Sequence, residues 1–488
     1  MKTLVHTFLI LLISGSLYAQ RTVDHVGIIT GPIDVTTKTT VGELTINPTV
    51  AGKVIVRFDG TCHASVGDLI VLAASNTTDW HVNDGNVGIE VVDTDFNSRT
   101  FAHTRVYDVT PGSHTFYAVA HNYVETDGTG TATIYGSLTV EFIPETAGIV
   151  AHEGILTTNA DLSTLTTLAS QTIEPTVDGK VIVRFDGSCV ASVGDRIILA
   201  ASNSPSWSSN DGNVGIEILD ADVNASCFSH TRVYNVSAGS HTYYAVAQNY
   251  VETDGTGFAS IYGSLTVQFI PSTEGIVAFE GIATSNPDVS AVTAFGELTI
   301  APSVAGKAMV SFDGSCYATP GDRIILAASN SMNWLPNDGN VGVEVYDNDL
   351  NHESFSHTRV YDVAAGVHTF YGLAQNYVEY DGDGSASIYG SLTVNFIPEP
   401  SASGINGANA VPFVVYPNPT AGEVRLEIGS ANERHTLHIF NANGALVASE
   451  QLMGSSAFNV DLPTVKGIYL LQLMNENGAS STVKVIRQ

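Results

Sequence analysis

Asp93-x-Asp95-x-Asn97 recurs as Asp220-x-Asp222-x-Asn224 and as Asp347-x-Asp349-x-Asn351, each set followed by Glu-x-Asp, with Asp127, Asp254 and Asp381 as the last residue. Clustered carboxylates and an amide in short loops suit calcium, a hard cation that takes about six to eight oxygen ligands. The match to a helix-loop-helix calcium loop fails, because its glycine place holds Ser98, Ala225 or His352 and its closing glutamate place holds a threonine. Solvated turn residues are the simpler account, since Asp and Asn are ordinary turn formers.

Two other sets could contact a ligand. His103-Thr104-Arg105-Val106-Tyr107 recurs at His230 and His357, and on a strand it places His103, Arg105 and Tyr107 on one face. Arg105, Arg232 and Arg359 could hold an anionic sugar or a peptide carboxylate; a cross-strand polar ladder is the plainer alternative. Zinc is not supported, because no third ligand joins His103 and His114 at a fixed place. Trp80, Trp207 and Trp334 each sit in a loop, either as a stacking platform for a sugar ring or as a plug over the sandwich. No nucleophile elbow, His-Glu-x-x-His or Cys-His arrangement points to catalysis. Cys62, Cys189 and Cys316 match as buried thiols, and a Cys189 to Cys227 bridge is open in the second repeat alone.

These residues share one spacing. Asp59, Asp186 and Asp313 stand 127 residues apart, as do the cysteines and tryptophans, with no shift of register. That period is the size of a domain, so the chain reads as three β-sandwich repeats, 22–147, 148–274 and 275–398. Within the first, Val54–Phe58, Leu69–Ala74, Val87–Val92, Phe101–Val109, His114–Val124 and Ala132–Ile143 alternate apolar and polar residues between turn formers. About eight strands per repeat predict an all-β, jelly-roll-like sandwich. Thr110–Ser113 and Thr126–Gly130 are expected to close two hairpins, which would bring the Asp93 and Glu125 loops to one pole and Asn83–Asn86 to the other. Short connectors at Pro144–Gly148 and Pro271–Gly275 predict beads held close together.

The net charge of −30 resides in the repeats, where residues 27–398 hold 41 acidic against 12 basic side chains. That field disfavours nucleic acid and anionic membranes as partners. Met1–Ala19 has the anatomy of a secretory signal peptide, and no later run is long and apolar enough to be a transmembrane helix. Residues 399–412 read as a linker. A domain at 413–488 follows, with Tyr416-Pro417-Asn418-Pro419, a turn at Gly444, Gly467-x-Tyr469 and a basic end at Lys484. This segment resembles the C-terminal sorting domain of the type IX secretion system of Bacteroidetes. The resemblance implies a small β-sandwich, export across the outer membrane by the type IX machinery, and either surface anchoring or release. The Tyr107-x-Val109-x-x-Gly112-x-His114 segment and the closing Leu138-x-Val140-x-Phe142 are loosely similar to complement and tumour-necrosis-factor jelly rolls, which implies self-assembly into trimers. Together these features predict a secreted or cell-surface adhesion protein, not an enzyme, with an extracellular glycan or protein ligand. A structural spacer and a carbohydrate-binding hydrolase accessory are the alternatives.

Overall fold

The computed structural model describes residues 20–80, 86–91, 98–206, 212–218, 225–253, 255–333, 340–345, 352–378, 384–399, 411, 413–428, 434–441, 445–475 and 480–488. Those residues contain strands and no helix. The chain divides into a unit ending at Glu399 and a second beginning at Pro400.

Repeat one contains β1 (Thr22–Ile29), β2 (Ile33–Asp34), β3 (Thr39–Ile46), β4 (Gly52–Ala64), β5 (Leu69–Ser75), β6 (Val87–Glu90), β7 (Ser98–Val109), β8 (His114–Val124) and β9 (Thr131–Pro144). One sheet runs β1-β9-β4-β7 with β2 beside β9, and the other runs β3-β8-β5-β6. Val54, Val56, Phe58 and Cys62 alternate along β4 into the space between them. There they meet Ile70, Leu72, Phe116 and Ala118 of the facing sheet.

Repeat two follows the same plan with β10 (Ile149–Asp161), β11 (Thr166–Ile173), β12 (Gly179–Ala191), β13 (Arg196–Ser202), β14 (Val214–Glu217), β15 (Ala225–Val236), β16 (His241–Val251) and β17 (Phe258–Pro271). Repeat three has β18 (Ile276–Ala283), β19 (Thr293–Ile300), β20 (Gly306–Ala318), β21 (Arg323–Ser329), β22 (Val341–Glu344), β23 (His352–Val363), β24 (His368–Val378) and β25 (Ala386–Pro398).

The expected hairpins do not form. β7 pairs with β4, and β8 pairs with β3 and β5, so Thr110–Ser113 carries the chain from one sheet to the other. The turn is held by Gly112 N, which donates to Pro48 O at 3.0 Å. Thr126–Gly130 likewise leads from β8 into the opposite sheet, where β9 pairs with β1 and β4. An arch between sheets reverses the chain as a hairpin does and needs the same turn residues. The ends of β6 and β8 lie side by side, since Leu69 is opposite both Glu90 and Val124 and Gly67 N donates to Val91 O at 2.7 Å, while residues 92–97 and 81–85 of the two expected poles lie outside the described residues.

The repeats are also not beads. β7, β15 and β23 touch one another, and β6 packs on β15, β14 on β23, and β22 on β7. Each interface buries an apolar cluster: Ile55, Ile143 and Val150 between repeats one and two; Ile182, Ile270 and Val277 between two and three; Val23, Met309 and Ile397 between three and one. The three sandwiches thus surround a pseudo-threefold axis and form one body. The second unit has sheets β26 (Phe413–Tyr416), β27 (Glu423–Ile428), β30 (Ala457–Asp461), and β29 (Leu446–Leu452), β28 (His435–Asn441), β31 (Gly467–Asn475), β32 (Ser480–Arg487), around a core that includes Leu426, Ile439, Leu471 and Val485.

Candidate functional site

The axis holds three polar layers, spaced three or four residues apart along the strands. In the middle layer Arg57 Nε donates to Asp59 at 2.9 Å, while Nη2 reaches Ser356 Oγ at 2.5 Å and Ser229 Oγ at 3.3 Å. One guanidinium thus touches all three repeats. Each central aspartate accepts a hydroxyl from another repeat: Thr104 on Asp186 at 2.5 Å, Thr231 on Asp313 at 2.6 Å, Thr358 on Asp59 at 2.5 Å. Ser137, Ser264 and Ser391 add hydrogen bonds at 2.8, 3.2 and 3.1 Å. Gly60 faces Gly136 across β4 and β9; Gly60 has φ +153°, and a Cβ there would stand 2.2 Å from Tyr135 O. The glycine pair lets these strands close up beside Asp59.

The layer is deliberately unequal. Repeat one places Arg57 where repeat two has Arg184 and repeat three has Ser311, so two guanidinium groups serve three carboxylates. Burial pushes the Asp59 carboxyl up, but Arg57 and the Thr358 hydroxyl hold it below its usual value. Burial raises Asp186 above its usual value. Arg184 is drawn down to about 10 by burial and by the charge of Arg57. A second layer joins Glu141, Gln268 and Asn395, with Arg21 paired to Glu141 and donating to Asn395 Oδ1 at 3.0 Å. In the third, Arg99 donates to Glu353 at 2.7 Å, and burial raises Glu353. All these charges are enclosed, so the axis works as a lock between repeats.

Asp93, Asp95, Asn97, Asp220, Asp222, Asn224, Asp254, Asp347, Asp349, Asn351 and Asp381 lie outside the described residues, as do Trp207 and Trp334. Asp127 is a turn carboxylate: it accepts the Ser65 hydroxyl at 2.5 Å and the Thr129 amide and hydroxyl at 2.8 Å. These hydrogen bonds lower its pKa. Trp80 is 2% exposed. It packs on Val71, Ala73 and Val119 of the outer sheet face, under Lys38 at 4.8 Å, so it offers no open platform. His103 is a core residue whose Nδ1 accepts from Ala74 N at 2.8 Å. The arginines face the next repeat: Arg232 lies over the Phe279 ring at 5.4 Å, and Arg359 meets His25 at 3.4 Å. A side chain at Gly154 would meet Arg105 Nη1 at 3.6 Å. They are inter-repeat contacts and not an exposed anion face.

The cysteines are free. Cys189 is opposite Ser226, and Cys227 is opposite Ser188, so the two side chains leave opposite faces of the sheet. Cys189 enters the core of repeat two and Cys227 joins that of repeat one, which excludes the bridge.

Sequence reasoning passed over two features. Asp68 is fully buried and binds Asn122 Nδ2 at 2.7 Å and Thr126 N at 2.9 Å, latching the loop after β8. Tyr123, Tyr250 and Tyr377 stand at the ends of β8, β16 and β24 with exposures of 62%, 64% and 65%. The layers run in the same order in each repeat, so all three tyrosines emerge at one end of the body. Their matched spacing was the available signal; their exposure was not readable.

In the second unit Asn418 Nδ2 donates to Lys484 O at 2.8 Å and Asn418 Oδ1 accepts from Ile486 N at 2.9 Å, so the Tyr416–Pro419 segment clamps the last strand. Tyr469 is buried, with its hydroxyl donating to Val465 O at 2.7 Å. Gly467 opens that strand, and Gly444 lies outside the described residues. Residues 414–488 match the family model described as a secretion system C-terminal sorting domain. The tail is a type IX sorting domain. The chain is accordingly exported to the cell surface or extracellular space by that machinery.

Comparison with curated proteins yields no match. Among solved structures, the chain is similar to PNGase F, a glycosylasparaginase from Flavobacterium meningosepticum, at 11% identity and TM-score 0.25, covering 51% of this chain and 96% of that one. A Ruminococcus gnavus beta-glucuronidase matches at 12% identity and TM-score 0.15 over 39% of this chain and 34% of the other. The BSP domain of a biofilm associated protein matches at 9% and 0.15, over 70% and 82%. Likenesses of this size carry no inference about activity.

Proposed function

We propose that the exported repeats form one trivalent binding module, a surface or secreted adhesion protein and not an enzyme, built from three jelly-roll-like sandwiches. The observation that carries this reading is the trio of exposed tyrosines at one end of one body. The tyrosine stands in an Ala-x-Asn-Tyr-Val-Glu segment that is the same in all three copies except at His121, Gln248 and Gln375, and it is the most exposed hydrophobic side chain of that segment in each. A tyrosine presents a rigid apolar face with a polar tip, and three held at fixed separations gain effective concentration on a repetitive surface. The buried aspartates, arginines and histidines are occupied by contacts between and within the repeats, which supports binding over catalysis. A spacer gains nothing from folding three repeats back around an axis.

The test is attachment of the fluorescently labelled chain to immobilised polysaccharides and gelatin. Attachment to at least one surface is expected, and the Tyr123, Tyr250 and Tyr377 to Ala triple variant should lose it by about tenfold or more, with each single variant losing less. Attachment to none, or a triple variant that attaches equally well, would sink the reading.

A further inference from the structure

The arch that carries the chain from β15 to β16 borders a cleft of about 550 Å³ in repeat two. Asn203 after β13, Tyr234 and Asn235 near the end of β15, Ser240 in the arch, and Thr242 and Tyr243 at the start of β16 line it. His241, also in the lining, donates from Nε2 to Ser237 O at 2.8 Å and so ties the arch to the strand that follows. The Tyr234 and Tyr243 rings lie 5.5 Å apart, tilted by 34°. Tyr243 is 2% exposed, and its hydroxyl has no hydrogen-bond partner among the described residues. The lining is therefore two amides, several hydroxyls and a pair of aromatic faces, with no carboxylate, lysine or arginine among the described residues that form it.

Repeats one and three carry different chemistry at the same place. Phe116 and Phe370 stand where repeat two has Tyr243, and Asp108 and Asp362 where it has Asn235. Asp108 is paired with Lys53 at 2.7 Å, and Asp362 lies 3.9 Å from Lys307. In repeat two the matching Lys180 is opposite Asn235 in the register but donates to Val277 O at 2.7 Å. Two substitutions in one copy thus remove an acid and add a hydroxyl at a single cleft.

We propose that this cleft binds a neutral hexopyranose unit of an extracellular glycan. Amides and hydroxyls both donate and accept, as do the hydroxyls of a sugar, and a tyrosine ring covers the C–H face of a pyranose. The cleft falls within the range of about 300–1,000 Å³ typical of small-ligand sites. A charged sugar would meet no counter-charge in the lining, and enclosing an unpaired charge is costly. The site is separate from the tyrosine trio. His241 opens β16 and Tyr250 stands near its other end, so this inference goes beyond the trivalent reading and does not depend on it.

The experiment is saturation-transfer NMR of the full chain with the methyl glycosides of glucose, galactose and mannose, and with methyl glucuronide as the charged comparison. Transfer to at least one neutral glycoside is expected, with at least about fivefold less to the glucuronide. Tyr243→Phe should weaken that binding about threefold or more by deleting one hydrogen bond to the sugar. Repeats one and three already carry phenylalanine there, so the fold accommodates it. Asn235→Asp, which places the residue of repeat one opposite Lys180, should weaken binding likewise. The Tyr123, Tyr250 and Tyr377 to Ala triple variant should bind the glycoside as the native chain does. The assignment is overturned if no neutral glycoside shows transfer, if Tyr243→Phe and Asn235→Asp both bind as well as the native chain, or if the glucuronide binds equally. Transfer lost in the triple variant would also overturn it, by moving the sugar to the other end of the body.

Discussion

Asp59 and Asp186 occupy the same place in two repeats and meet opposite electrostatic conditions. Asp59 bonds Arg57 directly, while Asp186 is the carboxylate that burial leaves above its usual pKa. Removing charge from Asp59 takes from Arg57 the carboxylate it bonds directly, leaving it Asp313 Oδ2 at the longer distance of 3.7 Å, and should cost about 3 kcal/mol. Asp186→Asn balances two cations with two anions and still accepts the Thr104 hydroxyl, so at pH 7 it should cost less than about 1 kcal/mol or stabilise. Urea unfolding of Asp59→Asn and Asp186→Asn decides this, and equal losses would refute the asymmetry. The pH dependence separates them further. Asp59, with a lowered folded pKa, gives stability present above about pH 3.8 and lost below it, whereas protonating Asp186 relieves a cost of folding.

The β7 strand and its equivalents use both faces. Thr104 and Val106 serve the neighbouring repeat, while His103 and Tyr107 reach across the sandwich to Ala74. With Nδ1 of His103 and His230 accepting a backbone N–H, both rings are neutral, the proton on Nε2. Burial drives their pKa values down, that of His230 to about 3. A histidine lowered in the folded state gives stability that is whole above about pH 6.5 and lost as pH falls towards 3, at about 1.4 kcal/mol per unit for each ring. Unfolding midpoints in urea should therefore fall steeply below pH 6, and His230→Gln should flatten the slope by one ring's share. A slope unchanged by the substitution would refute this. The sequence pattern placed these residues on a strand correctly. It could not place the strand's partner, because a hairpin turn and a sheet-crossing arch are made of the same residues.

At the scale of the molecule, three repeats share interfaces that an independent domain would expose. An isolated repeat would bare Ile182, Ile270, Arg184 and Asp186, and three identical copies would gather like charges on the axis. The repeats should therefore melt as one calorimetric transition, distinct from the sorting domain. Its enthalpy should be about 270 kcal/mol, from about 0.7 kcal/mol for each of the roughly 380 residues. Three separate transitions would restore the picture of beads.

Periodicity in the amino-acid sequence determined the repeats, the sandwich class and the sorting tail, because a 127-residue spacing, period-two alternation and a dense terminal motif are local properties. The buried thiols were legible for the same reason. What only the tertiary structure decided is which side chains from different repeats meet. Arg57, Thr358 and Asp59 are separated by up to about 300 residues, and nothing in their local context distinguishes an axial aspartate from a turn aspartate. The exposure of Tyr123 and the burial of Trp80 were settled in the same way, since an aromatic side chain is a plug or a platform according to what packs over it.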